Sequence, residues 1–512
     1  MKINQLKLGS ILSYVSLFVS NLVVFFYTPF MLKHLGQAEY GIYALMGSFV
    51  GYLGILEFGL GNTVIRYIAL FRAQGRKDKE SNLIALCLMI YTLIGIICLL
   101  FGFVLYNKID ALFTSLSEPE LQIARIIFII MIVNLALSFP FNVFSSIMSG
   151  YEKFILPRAV NIIRSILMPC VMIPLLLLGY KSISIVMVQS IFNILAATIN
   201  IWYVLKVLKI KIRLIYFDKS FFKDLIKYSF YVFLIALVNQ IYWNTDQVIL
   251  GVVSNTVAVS IFAIATQISG LYMALASSTS VLLLPRTTKM VSENANNIQL
   301  TDLLIRSARW QFIILGLILC GFFLYGRQFI TLWVGSEYLE AWRIAVILMI
   351  ANTIPLIQQV GVSILQAKNM HGFRSVMYLI IAIVNVIISI PLAKHLGGTG
   401  SAIGTAIGLL AGNVIGINLY YYFKLKLQIS RFFKELFQGI LPSVIFSALL
   451  GGGVRELPIE SWFGLILKCF LYFCIYIFIM WRFGANESER GTLVAPFFKL
   501  KSTIRNKRLL SQ

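Results

Sequence analysis

Residues 33–36 read KHLG, and the same four letters return at residues 394–397. A proline precedes each copy by a few residues, Pro29 in the first case and Pro391 in the second. Small and apolar residues follow, QAEYGIYAL after the first copy and GTGSAIGTAIG after the second. Two of the chain's three histidines, His34 and His395, lie inside the repeat. It is therefore either a repeated chemical site or a repeated way of reversing the chain, and the surrounding medium decides which.

Of 512 residues, 59% are hydrophobic and 12% are charged, whereas an average soluble domain carries about a quarter charged residues. Polar groups this scarce do not cover the apolar surface in water, so most of the chain faces lipid. Lys2 and Lys7 lead into an apolar run over residues 8–30. That run is too long for a signal-peptide core and lacks a small-x-small cleavage site, so it reads as a span. The six cysteines (Cys87, Cys98, Cys170, Cys320, Cys469 and Cys474) all sit in apolar runs. They read as small core hydrophobes, with neither a disulfide framework nor a metal cluster implied.

Membrane-length apolar segments fall at residues 8–30, 40–62, 83–106, 121–148, 159–178 and 183–205. After a basic amphipathic stretch, KVLKIKIRLIYFDKSFFKDLIK, they continue at 228–250, 257–284, 310–325, 341–365, 376–392 and 401–423. The last two are 436–450 and 462–481. Lipid forces backbone hydrogen bonds inside each segment, so this is an all-α polytopic membrane protein of about fourteen helices. The thirteenth is short and contains Pro442, which leaves twelve as the lower count. With the N-terminus in the cytoplasm, 34 of the 43 lysines and arginines fall in inner segments, alternating loop by loop. That bias predicts cytoplasmic N- and C-termini in a cell membrane. It also accounts for most of the +23 net charge as insertion topology and attraction to lipid headgroups, and it argues against nucleic acid as a partner.

Both KHLG copies then lie on the outer side, after the first and eleventh spans. A third relative, Pro174 followed by LGYK at 178–181, ends the fifth span on the same side. Proline tightens the last turns, glycine takes the positive-φ position, and lysine snorkels to the headgroups. The repeat reads as a hairpin turn with interfacial histidines.

Outer loops are too short for an extracytoplasmic catalytic domain, which disfavours a membrane glycosyltransferase or polymerase. No P-loop, H-E-x-x-H, C-x-x-C or G-x-S-x-G occurs. No cofactor or metal is expected, and the protein is expected to transport rather than catalyse.

Polar residues at membrane depth are the functional suspects. Asn134, Ser138 and Asn142 share a face of the fourth span, beside Pro140. Asn193 and Asn200 lie seven apart in the sixth. The seventh carries two adjacent stripes, Asn239–Trp243–Asp246 and Gln240–Asn244–Gln247, and the tenth carries Asn352, Pro355, Gln358 and Gln359. Amides and flat aromatics suit a sugar-bearing cargo, and interhelical hydrogen bonding is the plainer alternative. Asn239, Gln240, Trp243, Asn244 and Asn62 are the sugar candidates. Glu57 and Asp246 are the acids inside spans, each a charge partner or an ion-coupling group. Arg66, Arg164, Arg286 and Lys289 lie nearest the membrane on the inner side and would suit a diphosphate headgroup, with positive-inside anchoring as the alternative.

The stretch PFMLKHLGQAEYGIYAL, followed by YLGILEFGLGNTVIRYIALFRAQG, resembles the opening hairpin of Wzx-like oligosaccharide flippases. These form the polysaccharide transporter branch of the multidrug/oligosaccharidyl-lipid/polysaccharide exporter (MOP) superfamily. DQVILGVVSNTVAVSIFAIA in the seventh and eighth spans is similar to the matching hairpin of the second half, and GIYAL at 41–45 aligns with SIFAI at 260–264. The resemblance implies a V-shaped pair of six-helix lobes, at 1–222 and 223–425, with spans 13 and 14 and a basic tail at 426–512. It implies a cargo, undecaprenyl-diphosphate-linked oligosaccharide moved from the cytoplasmic to the outer leaflet by alternating access. Membrane lipids and the polysaccharide polymerase machinery are the further partners it brings. Rival readings are a multidrug or cation antiporter and a lipid II flippase of the same superfamily, and more distantly a membrane polymerase or transferase. The family's second-helix acid is more familiar as Asp, and Glu57 keeps the charge on a longer arm.

Overall fold

The computed structural model describes residues 5–215, 244–368, 370 and 372–491, with single positions 223, 229, 233, 237 and 240 between the first two ranges. Among the described residues every regular element is a helix, and eleven helices are long and apolar enough to cross a membrane. Two of these, Leu8–Ala73 with 66 residues and Met377–Phe423 with 47, far exceed the roughly 20 residues one crossing needs. Each contains a KHLG copy and breaks at its glycine: Gly36 has φ 77° and ψ 170°, and Gly397 has φ 55° and ψ −137°. A side chain at either position would clash with its own backbone, which is why glycine stands there. Past Gly397, a Cβ on Gly400 would strike the Leu392 carbonyl, and one on Gly404 would strike Ser389. The two helices therefore run antiparallel in contact. Counted as two crossings each, and with the seventh span mostly outside the described residues, these helices agree with fourteen spans.

The third turn also has its glycine at positive φ, Gly179 at 87°. Lys181 beside it pairs with Glu39 at 3.2 Å, and the Ser182 N–H donates to Glu39 Oε2 at 3.3 Å. Two hairpin ends are thus tied together. His34 shares a hydrogen bond with the Phe30 carbonyl oxygen through Nδ1 at 2.8 Å and packs on the Phe30 ring, while His395 is exposed.

By contacts the chain divides into two compact units. One comprises Met1–Ile264 with Tyr378–Thr405, and the other comprises Ala265–Met377 with Ala406–Gln512. Residues 223–264 and 378–405 of the expected second lobe group by contacts with the first unit. In the first unit, Lys77–Tyr106 and Glu118–Gly150 pack so closely that a Cβ on Gly95 would meet the Ala136 carbonyl oxygen at 2.7 Å. Small residues allow such approach where lipid gives helices no hydrophobic reason to associate. The second span rebends where its glycines concentrate. The helix ends at Leu53, a 3-10 turn covers Gly54–Glu57, and a new helix runs Leu60–Ala73. Phe58, at φ 52°, sits in the bend and stacks on Phe233 at 4.6 Å.

In the second unit, Tyr272, Phe312, Tyr421, Tyr472 and Tyr476 belong to one apolar core. The tenth span breaks at Gln358, three residues after Pro355, and Gln358 exchanges two amide hydrogen bonds with Asn418, at 2.7 and 3.2 Å. Its amides stitch helices together. Residues 436 and 437, expected in the thirteenth span, instead close a short amphipathic helix, Ile429–Phe437, that buries Ile429, Phe432 and Leu436. Gly439 at φ 79° then turns the chain into Ile440–Arg455, where Pro442 occupies the first turn and its missing N–H costs nothing.

Arg309, read from sequence only as an inner-side charge, is buried and spends all five N–H groups. Two go to the Glu489 carboxylate at 2.6 and 3.0 Å, and three go to the Glu435, Gln438 and Gly484 carbonyls at 2.5, 3.2 and 3.1 Å. It fastens Asn297–Trp333 to the ends of the last two spans. The cysteines are less uniform than expected. Cys87 and Cys98 are buried, but Cys170, Cys469 and Cys474 are exposed, on helices whose outer faces meet lipid.

Two outcomes follow. Arg309→Met strands the buried Glu489 carboxylate and should cost about 3–5 kcal/mol, seen as a large drop in melting temperature in detergent, with Glu489→Gln milder. Gly400→Val should abolish monodisperse protein on size exclusion, whereas Gly452→Ala, whose added Cβ has nothing within 4 Å, should leave the profile unchanged.

Candidate functional site

Amides drawn from four helices and hydroxyls from three converge on a cavity of about 620 Å³ inside the first unit. Gly47, Ser48 and Gly51 of the second span line it. So do Asn134, Ser138 and Asn142 of the fourth, Asn161 and Arg164 of the fifth, Gln189, Asn193 and Asn200 of the sixth, and Asn244 of the seventh. The four-residue spacing in the fourth span puts its three polar side chains on one face, and the structure turns that face into the hollow. Gly47 and Gly51 leave room there. An added Cβ on Gly51 would come within 2.6 Å of Gln240 Nε2.

Arg164 is the one cation among the described lining residues, and no carboxylate, thiol or imidazole stands with it. It lies nine residues into the helix Ile155–Leu177, about 14 Å from its start at 1.5 Å per residue. Arg164 Nη1 donates to Asn193 Oδ1 at 2.5 Å, and Asn193 Nδ2 donates to Asn134 Oδ1 at 3.2 Å. Tyr43 Oη donates to Gln189 Oε1 at 3.3 Å. The arrangement offers a ligand hydrogen bonds and one positive charge.

The remaining candidates scatter. Arg66 and Asn62 are exposed on Leu60–Ala73, with the Arg66 guanidinium over the Tyr67 ring at 5.8 Å. Arg286 and Lys289 are exposed in the second unit, and Lys289 pairs with Glu293 at 3.7 Å. Asn239 and Trp243 lie outside the described residues. Gln240 flanks the cavity beside Gly51, and Asn244 lines it. Glu57, in the bend of the second span, accepts from Tyr91 Oη at 3.2 Å.

Asp246 is buried, and its carboxylate accepts from Ser401 Oγ at 2.7 Å and Thr405 Oγ1 at 2.5 Å. Thr405 Oγ1 also lies 3.1 Å from Asn385 Oδ1, which accepts from Ser389 Oγ at 2.6 Å. Sequence reasoning found Asp246 but not these four partners. Their signal was a run of small polar residues, Ser401 and Thr405 four apart, directly after the second KHLG copy.

Comparison with known proteins places this architecture. The family described as "Polysaccharide biosynthesis protein" matches residues 6–291, and the chain belongs to that family. It is 24% identical over 348 residues to a Shigella flexneri protein named "Putative O-antigen transporter", covering 66% of this chain and 79% of the relative. Its fold matches the lipid II flippase MurJ in an inward closed conformation, with TM-score 0.70 at 20% identity over 93% of this chain and 99% of that one. It also matches an inward-facing multidrug resistance MATE transporter of the MOP superfamily, with TM-score 0.67 at 15% identity over 78% and 93% of the two chains.

Thr405→Val keeps the side-chain shape and removes a donor to Asp246. It should lower stability by about 1.5–3 kcal/mol, measured by thermal unfolding of the purified protein, with Ser401→Ala similar.

Proposed function

We propose that this protein turns an undecaprenyl-diphosphate-linked oligosaccharide from the cytoplasmic to the outer leaflet of the cell membrane, for export of a surface polysaccharide. The observation that carries the reading is the cavity of the first unit, where amides and hydroxyls gather around Arg164, its one charge among the described lining residues. A polyprenyl tail can stay in hydrocarbon, but its sugar–diphosphate head must cross about 30 Å of it and needs hydrogen-bond partners throughout. Membership in a polysaccharide biosynthesis family and likeness to an O-antigen transporter agree with that cargo. A cation exporter would want carboxylates in such a cavity. The lipid II reading shares the cargo chemistry, and the family match favours an exported glycan over it.

In this reading the protein is a transporter rather than an enzyme, with both termini in the cytoplasm and the polymerase machinery downstream. Arg164 holds the diphosphate, and the exposed Arg66, Arg286 and Lys289 draw the anionic headgroup to the inner surface. Asn62, Asn239, Gln240, Trp243 and Asn244 meet the sugars. Asp246, held by hydroxyls, couples transport to an ion, and Glu57 sits at the bend that would flex as the second span moves.

Deleting the gene should abolish surface glycan and build up a completed lipid-linked repeat unit inside the cell, read by mass spectrometry of extracted lipids. Complementation with Arg164→Ala at equal expression should restore surface glycan about tenfold less well than wild type. Full restoration would remove Arg164 from the site.

A further inference from the structure

The basic stretch that follows the sixth span is fastened to the first unit by side chains from another helix. Residues 209–215 lie outside any helix, so their backbone groups need partners from elsewhere. Two neighbours near the start of Lys77–Tyr106 supply them. Ser81 Oγ donates to the Lys211 carbonyl oxygen at 2.7 Å and accepts from the Arg213 N–H at 2.9 Å. Asn82 Oδ1 accepts from the Ile215 N–H at 2.8 Å. Both of these side chains are buried. The bonded backbone groups all belong to odd-numbered residues, as along one edge of an extended chain. Side chains alternate to match. Ile210 and Ile212 pack against the apolar core of the first unit, whereas Lys209, Lys211 and Arg213 are exposed.

At about 3.3 Å per residue, those three cations stand about 7 Å apart in a row. Lys206 adds a fourth exposed cation just before them. Large apolar side chains are exposed in the same segment: Trp202 is 56% exposed, Val207 48%, Leu214 49% and Ile215 54%. Water disfavours that apolar set, and hydrocarbon disfavours the cations. The headgroup layer suits both, with the apolar groups entering the acyl boundary and the cations meeting phosphates. We propose that residues 206–215 form an interfacial strap whose row of cations binds acidic phospholipid, phosphatidylglycerol or cardiolipin. Ser81 and Asn82 are its positioning residues, because their bonds hold the row in register. A soluble acidic partner is the other occupant such a row would draw, and the exposed Leu214 and Ile215 favour lipid. Diffuse basic charge would attract acidic lipid according to the number of charges. A fixed row attracts it according to their placement, and this inference is independent of the cargo.

The test titrates the full chain in detergent with phosphatidylglycerol and with phosphatidylcholine of the same acyl chains, read by native mass spectrometry. A basic residue near an acidic surface is worth about fivefold in attraction. Lys209→Gln, Lys211→Gln and Arg213→Gln combined should therefore cut the preference for phosphatidylglycerol by about tenfold or more. The wild-type preference should also shrink as salt rises. Arg76→Gln, Lys77→Gln and Lys79→Gln combined remove as many exposed charges from the neighbouring loop and helix start, and should change it by less than about twofold. Ser81→Ala with Asn82→Ala keeps every charge and should lower the preference about fivefold, while Ser81→Thr, which keeps the hydroxyl, should stay near wild type. Equal losses in the two glutamine triples would show diffuse attraction, and the proposal falls. A wild type that does not distinguish the two lipids overturns it as well. The glutamine triples touch only exposed side chains, so this comparison decides even where the alanine pair lowers the melting temperature. Unchanged preference in a folded alanine pair removes Ser81 and Asn82 and, with them, the fixed row. Polyglutamate is the soluble acidic probe. If the strap triple loses polyglutamate and keeps its lipid preference, the row serves a soluble partner and the lipid assignment fails.

Discussion

Hydrocarbon offers no hydrogen-bond partner, and this single constraint orders the molecule. A polar group left unpaired in it costs several kcal/mol, so the backbone closes on itself as helix and most polar side chains in spans take a neighbour, Tyr27 Oη, Asn200 Oδ1 and Ser269 Oγ being buried exceptions. Tyr272 finds Thr353 at 2.8 Å, Gln358 finds Asn418, and Asp246 finds Ser401 and Thr405. Outward-facing positions are the reverse. Phe26 is 71% exposed and Phe103 68%, acceptable in lipid and costly in water. Because lipid also removes the usual hydrophobic reason for helices to associate, contact depends on how closely backbones can approach. Gly95 against Ala136 and Gly404 against Ser389 show the residues that allow it.

The hairpin turns were legible in the sequence because their cause is local. A proline, a snorkelling lysine and a glycine within eight residues are enough to predict the reversal, and Gly36 and Gly397 carry the backbone angles that explain them. The polar face of the fourth span was legible for the same reason, since a four-residue period is a property of one helix. Helix ends were less so. Apolar windows mark the hydrocarbon, but hydrogen bonding runs on into charged residues until a cap intervenes. Lys77–Tyr106 starts six residues before its apolar run, and Asn297–Trp333 starts at the Asn296–Gln299 capping box.

Arg309 and Arg164 show where reading one segment at a time stops. Both lie near the inner ends of apolar runs, and both carry the charge expected there. What separates them from anchoring residues is a partner far along the chain: Glu489, 180 positions from Arg309, and Asn193, 29 positions from Arg164. No local period encodes either pairing. The two arginines then differ in outcome. Arg309 spends every N–H on protein oxygens, so it is a clamp with nothing left for a ligand. Arg164 makes one hydrogen bond to Asn193 and faces a cavity.

The same contrast extends to the amides and argues for where binding takes place. Gln358 and Asn418 bond reciprocally, each giving an N–H and each receiving one, so the pair is closed. The run from Arg164 through Asn193 to Asn134 is open: it begins at a cation and passes donors forward in one direction. An open run has a cost that a closed pair does not, because its last N–H groups need an acceptor, and Asn200 Oδ1 of the same lining has likewise no donor. Water can meet such a need, and charge on an acceptor strengthens each bond in a low-dielectric surrounding. Stability alone would favour closing the run with one more acceptor. Its remaining open, beside the unpartnered Asn200 Oδ1 of the same lining, leaves the cavity with both donors and an acceptor to offer.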